Sequence, residues 1–157
     1  MHTGPRWVLL IYRLPREPST PRIALWRRLR QLGAVQLLDG LVGLPLSAQT
    51  REQLEWLAES IVEAGGEAAI WLADPAARQH RRALVDEVRA ARHAEYRAVI
   101  AAAAQAREEP AMLRRRTLAR LRRELHRIRA RDYFGAPGRR EADAAVDALA
   151  AAVEVGA

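Results

Sequence analysis

The sequence predicts an α+β protein in which a small antiparallel sheet precedes a long helical segment. Short apolar runs alternate with helix-period segments over the first 74 residues, and Gly and Pro separate them. After Asp74–Pro75 the pattern changes to uninterrupted helical periodicity rich in Ala and Arg. We therefore expect two domains, residues 1–74 and an arginine-rich helical extension over residues 75–157.

The first half alternates in the order strand, helix, strand, strand, helix, strand. The strands are predicted at residues 6–14, 34–38, 41–44 and 67–73, and the helices at residues 21–32 and 47–64. Asp39–Gly40 is a two-residue hairpin signal between the second and third strands. This order is that of the ferredoxin-like βαββαβ fold, in which both helices cover one face of a four-stranded antiparallel sheet.

The first helix and the first strand allow predictions about burial. The helix is expected to begin after a Ser19 or Thr20 cap, with Pro21 in its first turn, and to end at Gly33. Its inner face is predicted to carry Ile23, Trp26, Leu29 and Leu32. The first strand is apolar on both faces, so we expect its second face to be covered by another subunit or by the helices that follow.

The second half is predicted as a long helical hairpin followed by a short C-terminal helix. Its helices are expected over residues 76–107, 111–131 and 139–155, and Glu109–Pro110 separates the first helix from the second. In the middle helix the apolar residues repeat at intervals of three, four and three residues, which is typical of a packing seam. These residues are Leu118, Leu121, Leu125 and Ile128.

Positive charge is concentrated in one segment. All 26 basic residues are arginine, which a GC-rich genome would also produce, so the position of the arginines is more informative than their identity. Residues 74–140 contain 18 arginines and eight acidic residues. Residues 1–73 contain eight arginines and seven acidic residues, and residues 141–157 contain no arginine and four acidic residues. Localised positive charge is typical of proteins that bind nucleic acid or another polyanion.

The helix over residues 114–131 is the strongest candidate for binding an anionic partner, DNA above all. Guanidinium groups contact phosphate in a bidentate way, which supplies affinity and salt dependence but little sequence information. A solvated, partly neutralised helix face is the alternative. The candidate DNA- or anion-binding residues are Arg114, Arg115, Arg116, Arg120, Arg122, Arg123, Arg127 and Arg131. Tyr133 and Phe134, which follow them, either stack on bases or staple the helix end to the protein.

The sequence contains no recognisable catalytic or metal-binding set. There is no cysteine, and the four histidines lack the spacing of zinc ligands. We therefore expect a protein that is not an enzyme and that has no cofactor and no metal. The apolar run Trp7–Tyr12 is too short for a membrane span or a signal-peptide core, so we expect a cytoplasmic protein with no membrane partner.

Several segments resemble the N-terminal region of the chromate resistance regulator family ChrB. They are Trp7–Pro15, Pro18–Arg22, Trp26–Leu29, Leu32–Ala34, Gly65–Ala68 and Arg131–Gly135. The resemblance covers nearly the whole chain, and it implies transcriptional control of a chromate efflux operon through DNA binding that chromate relieves. Family members usually carry a further C-terminal domain. If effector sensing depends on that domain, we expect this chain either to bind DNA without sensing chromate or to act with a separate sensor domain. If this chain itself responds to chromate, a tetrahedral dianion, Arg131 is a chemically sensible ligand.

The first half also resembles the Cas2-like domains of CRISPR nucleases and of phenylacetate-type repressors. Nuclease members hold a metal with an Asp near the end of the first strand, whereas this sequence has no carboxylate there before Glu17. The resemblance also implies a homodimer formed through the open face of the sheet. Three functions follow as hypotheses: a DNA-binding regulator, a dimeric interaction module that does not bind DNA and acts with a separate sensor, and, least favoured, a Cas2-like nuclease.

Overall fold

The computed structural model describes residues 6–156, which form a four-stranded antiparallel sheet and five helices. In chain order the elements are β1 (Trp7–Arg13), α1 (Thr20–Leu32), β2 (Val35–Leu38), β3 (Leu41–Pro45), α2 (Ala48–Glu63), β4 (Glu67–Ala73), α3 (Arg78–Ala106), α4 (Ala111–Ala130) and α5 (Arg139–Val155). The predicted α+β class is confirmed. The chain divides into two compact units, residues 6–84 and 85–156, so the division falls within α3, and the predicted domain boundary after residue 74 stays a prediction.

The sheet has the strand order β2-β3-β1-β4, which is that of the predicted ferredoxin-like fold. The central strand β1 pairs antiparallel with both β3 and β4, so that Leu10 lies opposite Val42 on one side and Ile70 on the other. β2 and β3 form the predicted hairpin, whose two-residue turn is Asp39–Gly40.

Both helices of the first unit lie on one face of this sheet. Leu25 of α1 and Leu57 of α2 border the same crevice, so the helices lie side by side. The core between the sheet and the helices contains Val8, Leu10, Val42, Leu44, Leu25, Leu29, Leu32, Leu54 and Ile61, all buried. Burying large aliphatic side chains contributes about 1.5–3 kcal/mol each. The first unit therefore has an apolar core of its own.

The predicted inner face of α1 was partly wrong. Leu29 and Leu32 are buried as predicted, but Ile23 and Trp26 are 48% and 54% exposed, and Leu25 takes the inner position. Steps of three residues turn the helix by about 300°, so a series spaced by threes drifts around the helix by about 60° per step. The steps of four and three that link the buried leucines stay on one stripe.

The three helices of the second unit share one apolar core. The seam predicted on α4 is buried throughout, which confirms that part of the prediction. It packs with residues of α3 and α5, namely Tyr96, Val99, Ala103, Ala106, Ala142, Val146 and Leu149. The seam therefore fixes which side of α4 faces the protein.

Two glycines, Gly40 in the hairpin turn and Gly65 after α2, provide a test of the fold. Both have positive φ, +75° at Gly40 and +85° at Gly65. A Cβ added at Gly40 would lie 2.4 Å from the Tyr12 carbonyl oxygen, whereas a Cβ added at Gly65 would meet no atom within 4 Å. Gly65→Ala should therefore cost about 1 kcal/mol of unfolding free energy, from backbone conformation alone. Gly40→Ala should cost more. Urea unfolding followed by circular dichroism measures both, and equal losses would contradict this account.

Candidate nucleic-acid interface

α4 combines a buried apolar seam with a high density of arginine. Its 20 residues include eight arginines and one acidic residue, Glu124. Arg127 and Arg129 lie in the last turn, where a cation interacts favourably with the negative end of the helix dipole. Because the seam occupies one side, the arginines are distributed over the remaining surface of the helix.

Four of the predicted binding residues form a stripe on the side of α4 opposite the seam. Arg116, Arg120, Arg123 and Arg127 follow one another at intervals of four, three and four residues, so they share one helical face. All four are exposed. Eleven residues of helix correspond to a rise of about 16 Å, which is the length of the stripe. We call these four residues the outer stripe.

Most of the exposed arginines on α4 have no carboxylate partner. Arg120 pairs with Glu124 at 3.2 Å, in the i,i+4 geometry. Arg129 pairs with Asp143 of α5. Within residues 6–156, no acidic side chain lies within ion-pair distance of the remaining five, Arg115, Arg116, Arg122, Arg123 and Arg127. Their charge is therefore available to an external anion.

Two of the predicted binding residues are turned toward the protein. The Arg114 Nη1 donates to the Ala152 carbonyl oxygen at 3.1 Å, near the C-terminal end of α5. The Arg131 Nη2 donates to Glu95 Oε1 at 2.8 Å, and its side chain is 16% exposed. The structure thus brings six of the eight arginines to the exposed surface of α4, and it places these two in internal contacts. Their role in binding stays a prediction.

A buried charge cluster at the end of α4 was missed in the sequence. Arg92 of α3 is only 6% exposed, and its Nη2 donates to Glu95 Oε1 at 3.1 Å, so that one carboxylate serves both Arg92 and Arg131. Burial lowers the pKa of Arg92. The negative charge of Glu95 raises this pKa again, and the positive charge of Arg131 lowers it further. The available signal was position, since Arg92 lies on the same helical stripe as Val88, Tyr96 and Val99.

The turn after α4 is tied to α3 through Asp132. The Tyr96 hydroxyl donates to Asp132 Oδ2 at 2.8 Å, and the Ala136 backbone N–H donates to Asp132 Oδ1 at 2.8 Å. Tyr133 and Phe134 are half-buried, and burial raises the pKa of Tyr133 against the opposing effect of Arg92 and Arg131. This position is what a staple at the helix end requires, and stacking of the two rings on bases stays a prediction.

The described part of the chain has neither a metal-binding cluster nor a membrane-spanning helix. Among residues 6–156, no group of three or more His, Asp or Glu side chains is placed to hold a metal ion. None of the helices within the same residues has the length and hydropathy of a membrane span.

Comparison with known proteins identifies a related family. The family model described as "Protein ChrB, N-terminal" matches residues 22–156. Protein ChrB of Cupriavidus metallidurans is 35% identical over 85 residues, which cover 51% of this chain and 26% of that protein. The match thus spans about a quarter of the relative's length. No solved structure matches the chain.

The hydrogen bond between Tyr96 and Asp132 predicts a pH dependence of stability. Burial, and then the hydrogen bond to Asp132, raise the pKa of Tyr96 from 10.0 to about 12. Below pH 10 the Tyr96 phenol is neutral in both the folded and the unfolded chain, so its contribution to stability is complete. Between pH 10 and about 12 the phenol ionises in the unfolded chain but not in the folded one. Ionisation stabilises the unfolded chain, so the contribution of Tyr96 is progressively lost as the pH rises through this range.

Tyr96→Phe tests this dependence. The variant should be less stable than the unmodified protein at neutral pH by about 1 kcal/mol, because Asp132 loses a donor. This difference should shrink as the pH approaches 12. Urea unfolding across this pH range measures it, and a difference that stays constant with pH would contradict the assignment.

Proposed function

The chain belongs to the family of the N-terminal region of protein ChrB, and on this premise we propose that it is a DNA-binding transcriptional regulator related to chromate resistance. The observation that supports DNA binding most directly is the set of five exposed arginines on α4 that have no ion-pair partner in the described chain. The proposed activity is binding rather than catalysis. A regulator of this kind works in the cytoplasm, and that location is part of the proposal.

The outer stripe has the chemistry of a phosphate-binding surface. Guanidinium groups are permanently charged at physiological pH and carry several N–H donors in a planar fork that matches phosphate oxygens. An exposed ion pair contributes at most about 1 kcal/mol, so the Arg120–Glu124 pair costs little to exchange for a phosphate contact. The surface therefore favours a polyanion with regularly spaced charges, and duplex DNA is the proposed one.

Reversing the charge of Arg115, Arg116 and Arg123 to Glu should abolish binding to the DNA upstream of the regulated operon. Each phosphate contact contributes about 0.9 to the negative slope of log K against log salt concentration. Losing three contacts should therefore flatten the slope by about 3 in any residual binding. Fluorescence anisotropy with a labelled promoter fragment, titrated at several salt concentrations, measures both effects.

The matched control reverses three exposed arginines of α3, Arg78, Arg82 and Arg97, which changes the net charge equally. This control should weaken binding much less, since long-range attraction is screened within about a Debye length. Equal losses in the two variants would show that net charge rather than the α4 surface is responsible. Binding by the unmodified protein that does not depend on salt would contradict the proposal.

Chromate is the effector that the family resemblance implies, and we include it in the proposal. Arg131, its candidate ligand, already holds Glu95, so chromate would compete with that carboxylate. Chromate added to the DNA titration should lower affinity, whereas sulfate, a dianion of the same shape, serves as the control. A response that requires a separate sensor domain would leave this chain's DNA binding unchanged by both anions.

A homodimer is the second proposed partner interaction, and the exposed face of the sheet supports it. Ile11 and Trp71 lie on the face opposite α1 and α2, Leu37 lies with Leu9 on that same face, and Ile11, Leu37 and Trp71 are exposed. A contiguous exposed apolar patch is typical of an interaction site, and one patch meeting its own copy forms a twofold interface. This patch also supports the alternative function, a dimeric module that acts with a separate sensor.

Trp71→Asp should convert the dimer to a monomer in sedimentation velocity measurements, because a carboxylate would be desolvated in the apolar interface. Trp56→Asp is the matched control, since Trp56 is also highly exposed but lies on α2. That variant should remain dimeric. A monomeric unmodified protein at every concentration would contradict the dimer. A dimer without DNA affinity would favour the interaction module.

A further inference from the structure

The first unit contains a large cavity that the proposed function does not use. Its volume is about 930 Å³, and it lies between the end of β1, the helix α1 and the Asp39–Gly40 turn. The lining residues with functional side chains include Arg16, Arg22, Arg27, Trp26, Tyr12 and Asp39. Ligand cavities in proteins have volumes of about 300–1,000 Å³, so this one has room for a small organic molecule.

The lining of the cavity is strongly basic. Arg16, Arg22 and Arg27 are exposed, and no carboxylate of the described residues lies within ion-pair distance of them. α1 itself contains no acidic residue. Asp39 is the one carboxylate among the lining residues of this cavity. Three guanidinium groups that line one cavity favour an anion, and a phosphate group matches their donors best.

Trp26 gives the cavity an aromatic wall. The ring is 54% exposed although it belongs to a helix with a leucine core stripe. The guanidinium carbon of Arg30 lies 4.8 Å from the ring centre, and Arg30 does not line the cavity. An indole that is held by a cation–π contact and left accessible to a cavity can stack on a planar ring.

Polar groups of the sheet complete the lining. The Tyr12 backbone N–H donates to the Gly40 carbonyl oxygen at 2.8 Å, which fixes the end of β1 against the turn. Burial raises the pKa of Tyr12, with Arg22 opposing the shift and Asp39 adding to it, so the phenol lies near both groups. The Asp39 carboxylate and the Gln36 amide supply hydrogen-bonding groups at the same wall.

We propose that this cavity binds a nucleotide, with the phosphate held by Arg16, Arg22 and Arg27 and the base stacked on Trp26. A bare tetrahedral anion would fill only a small part of the volume and would leave the indole unused. The nucleotide is either a free mononucleotide or an unpaired nucleotide within a strand. The site lies wholly in the first unit, so it goes beyond the α4 surface and does not depend on it.

Isothermal titration calorimetry on the full chain tests the proposal with deoxyadenosine monophosphate as the probe. Inorganic phosphate and deoxyadenosine represent the two halves of this ligand, and each should bind at least about tenfold more weakly, because each lacks one set of contacts. A short oligodeoxyadenylate distinguishes the two sources. This comparison is made in the variant with Arg115, Arg116 and Arg123 changed to Glu, because the α4 surface would otherwise bind the oligonucleotide as a polyanion. In that variant, tighter binding of the oligonucleotide than of the mononucleotide identifies a strand, and the reverse identifies a free nucleotide.

Two substitutions and two matched controls assign the binding to this cavity. Trp26→Ala and Arg22→Gln should each weaken binding of the mononucleotide by about tenfold. Trp56→Ala removes another exposed indole, on α2, and Arg28→Gln removes an arginine of α1 that does not line the cavity. Both controls should bind as the unmodified protein does. Circular dichroism confirms that each variant is folded.

Three results would overturn the proposal. They are absence of mononucleotide binding, equal affinity for inorganic phosphate, and binding that Trp26→Ala leaves unchanged in a folded protein. Charge reversal at Arg115, Arg116 and Arg123 separates the two sites, because it should remove duplex binding and leave mononucleotide binding intact. Failure of either site is therefore distinguishable from failure of the other.

Discussion

The burial of the α4 seam is the interaction on which the surface of the second unit depends. Arginines four residues apart on the outer stripe repel one another, at about 0.2–0.5 kcal/mol per pair. Burial of each of the four seam residues contributes about 1.5–3 kcal/mol, so the seam outweighs the repulsion. Because the seam can face only one way, it also determines which arginines point outward. The charge pattern is thus a consequence of the apolar packing.

The same packing explains why the two ends of α4 behave differently from its middle. Arg114 reaches carbonyl oxygen at the end of α5, where the helix leaves acceptors unsatisfied. Arg131 follows the last turn and meets Glu95 of α3. Removing Glu95 would leave two guanidinium groups close together with no carboxylate, which is far more costly than losing an exposed pair. In the middle of the helix, Arg120 has only the exposed pair with Glu124, and Arg115, Arg116, Arg122 and Arg123 have no carboxylate partner among the described residues, so their charge stays available.

Much of this arrangement could be predicted from the sequence, and the remainder depended on contacts distant in the chain. The strand order, the Asp39–Gly40 turn and the α4 seam follow from local periodicity and turn chemistry. The exposed position of Trp26 could not be predicted in this way. The apolar residues of α1 allow two inner faces, one with Ile23 and Trp26 and one with Leu25, and packing against the sheet buries the second. The partners of Arg114 and Arg131 lie 38 and 36 residues away, where no local pattern could reveal them.

The two binding sites that we propose differ in their chemistry. The outer stripe is a convex row of guanidinium groups on one helix, which suits phosphates and reads little of the base sequence. The α1 cavity is concave and adds an aromatic ring, a carboxylate and an amide to its arginines. Groups of that kind distinguish one ring from another, because they contact base edges and faces rather than the backbone. If both proposals hold, affinity for a polyanion and selection among bases are served by different elements of the fold, and substitution at one site should leave the other unchanged.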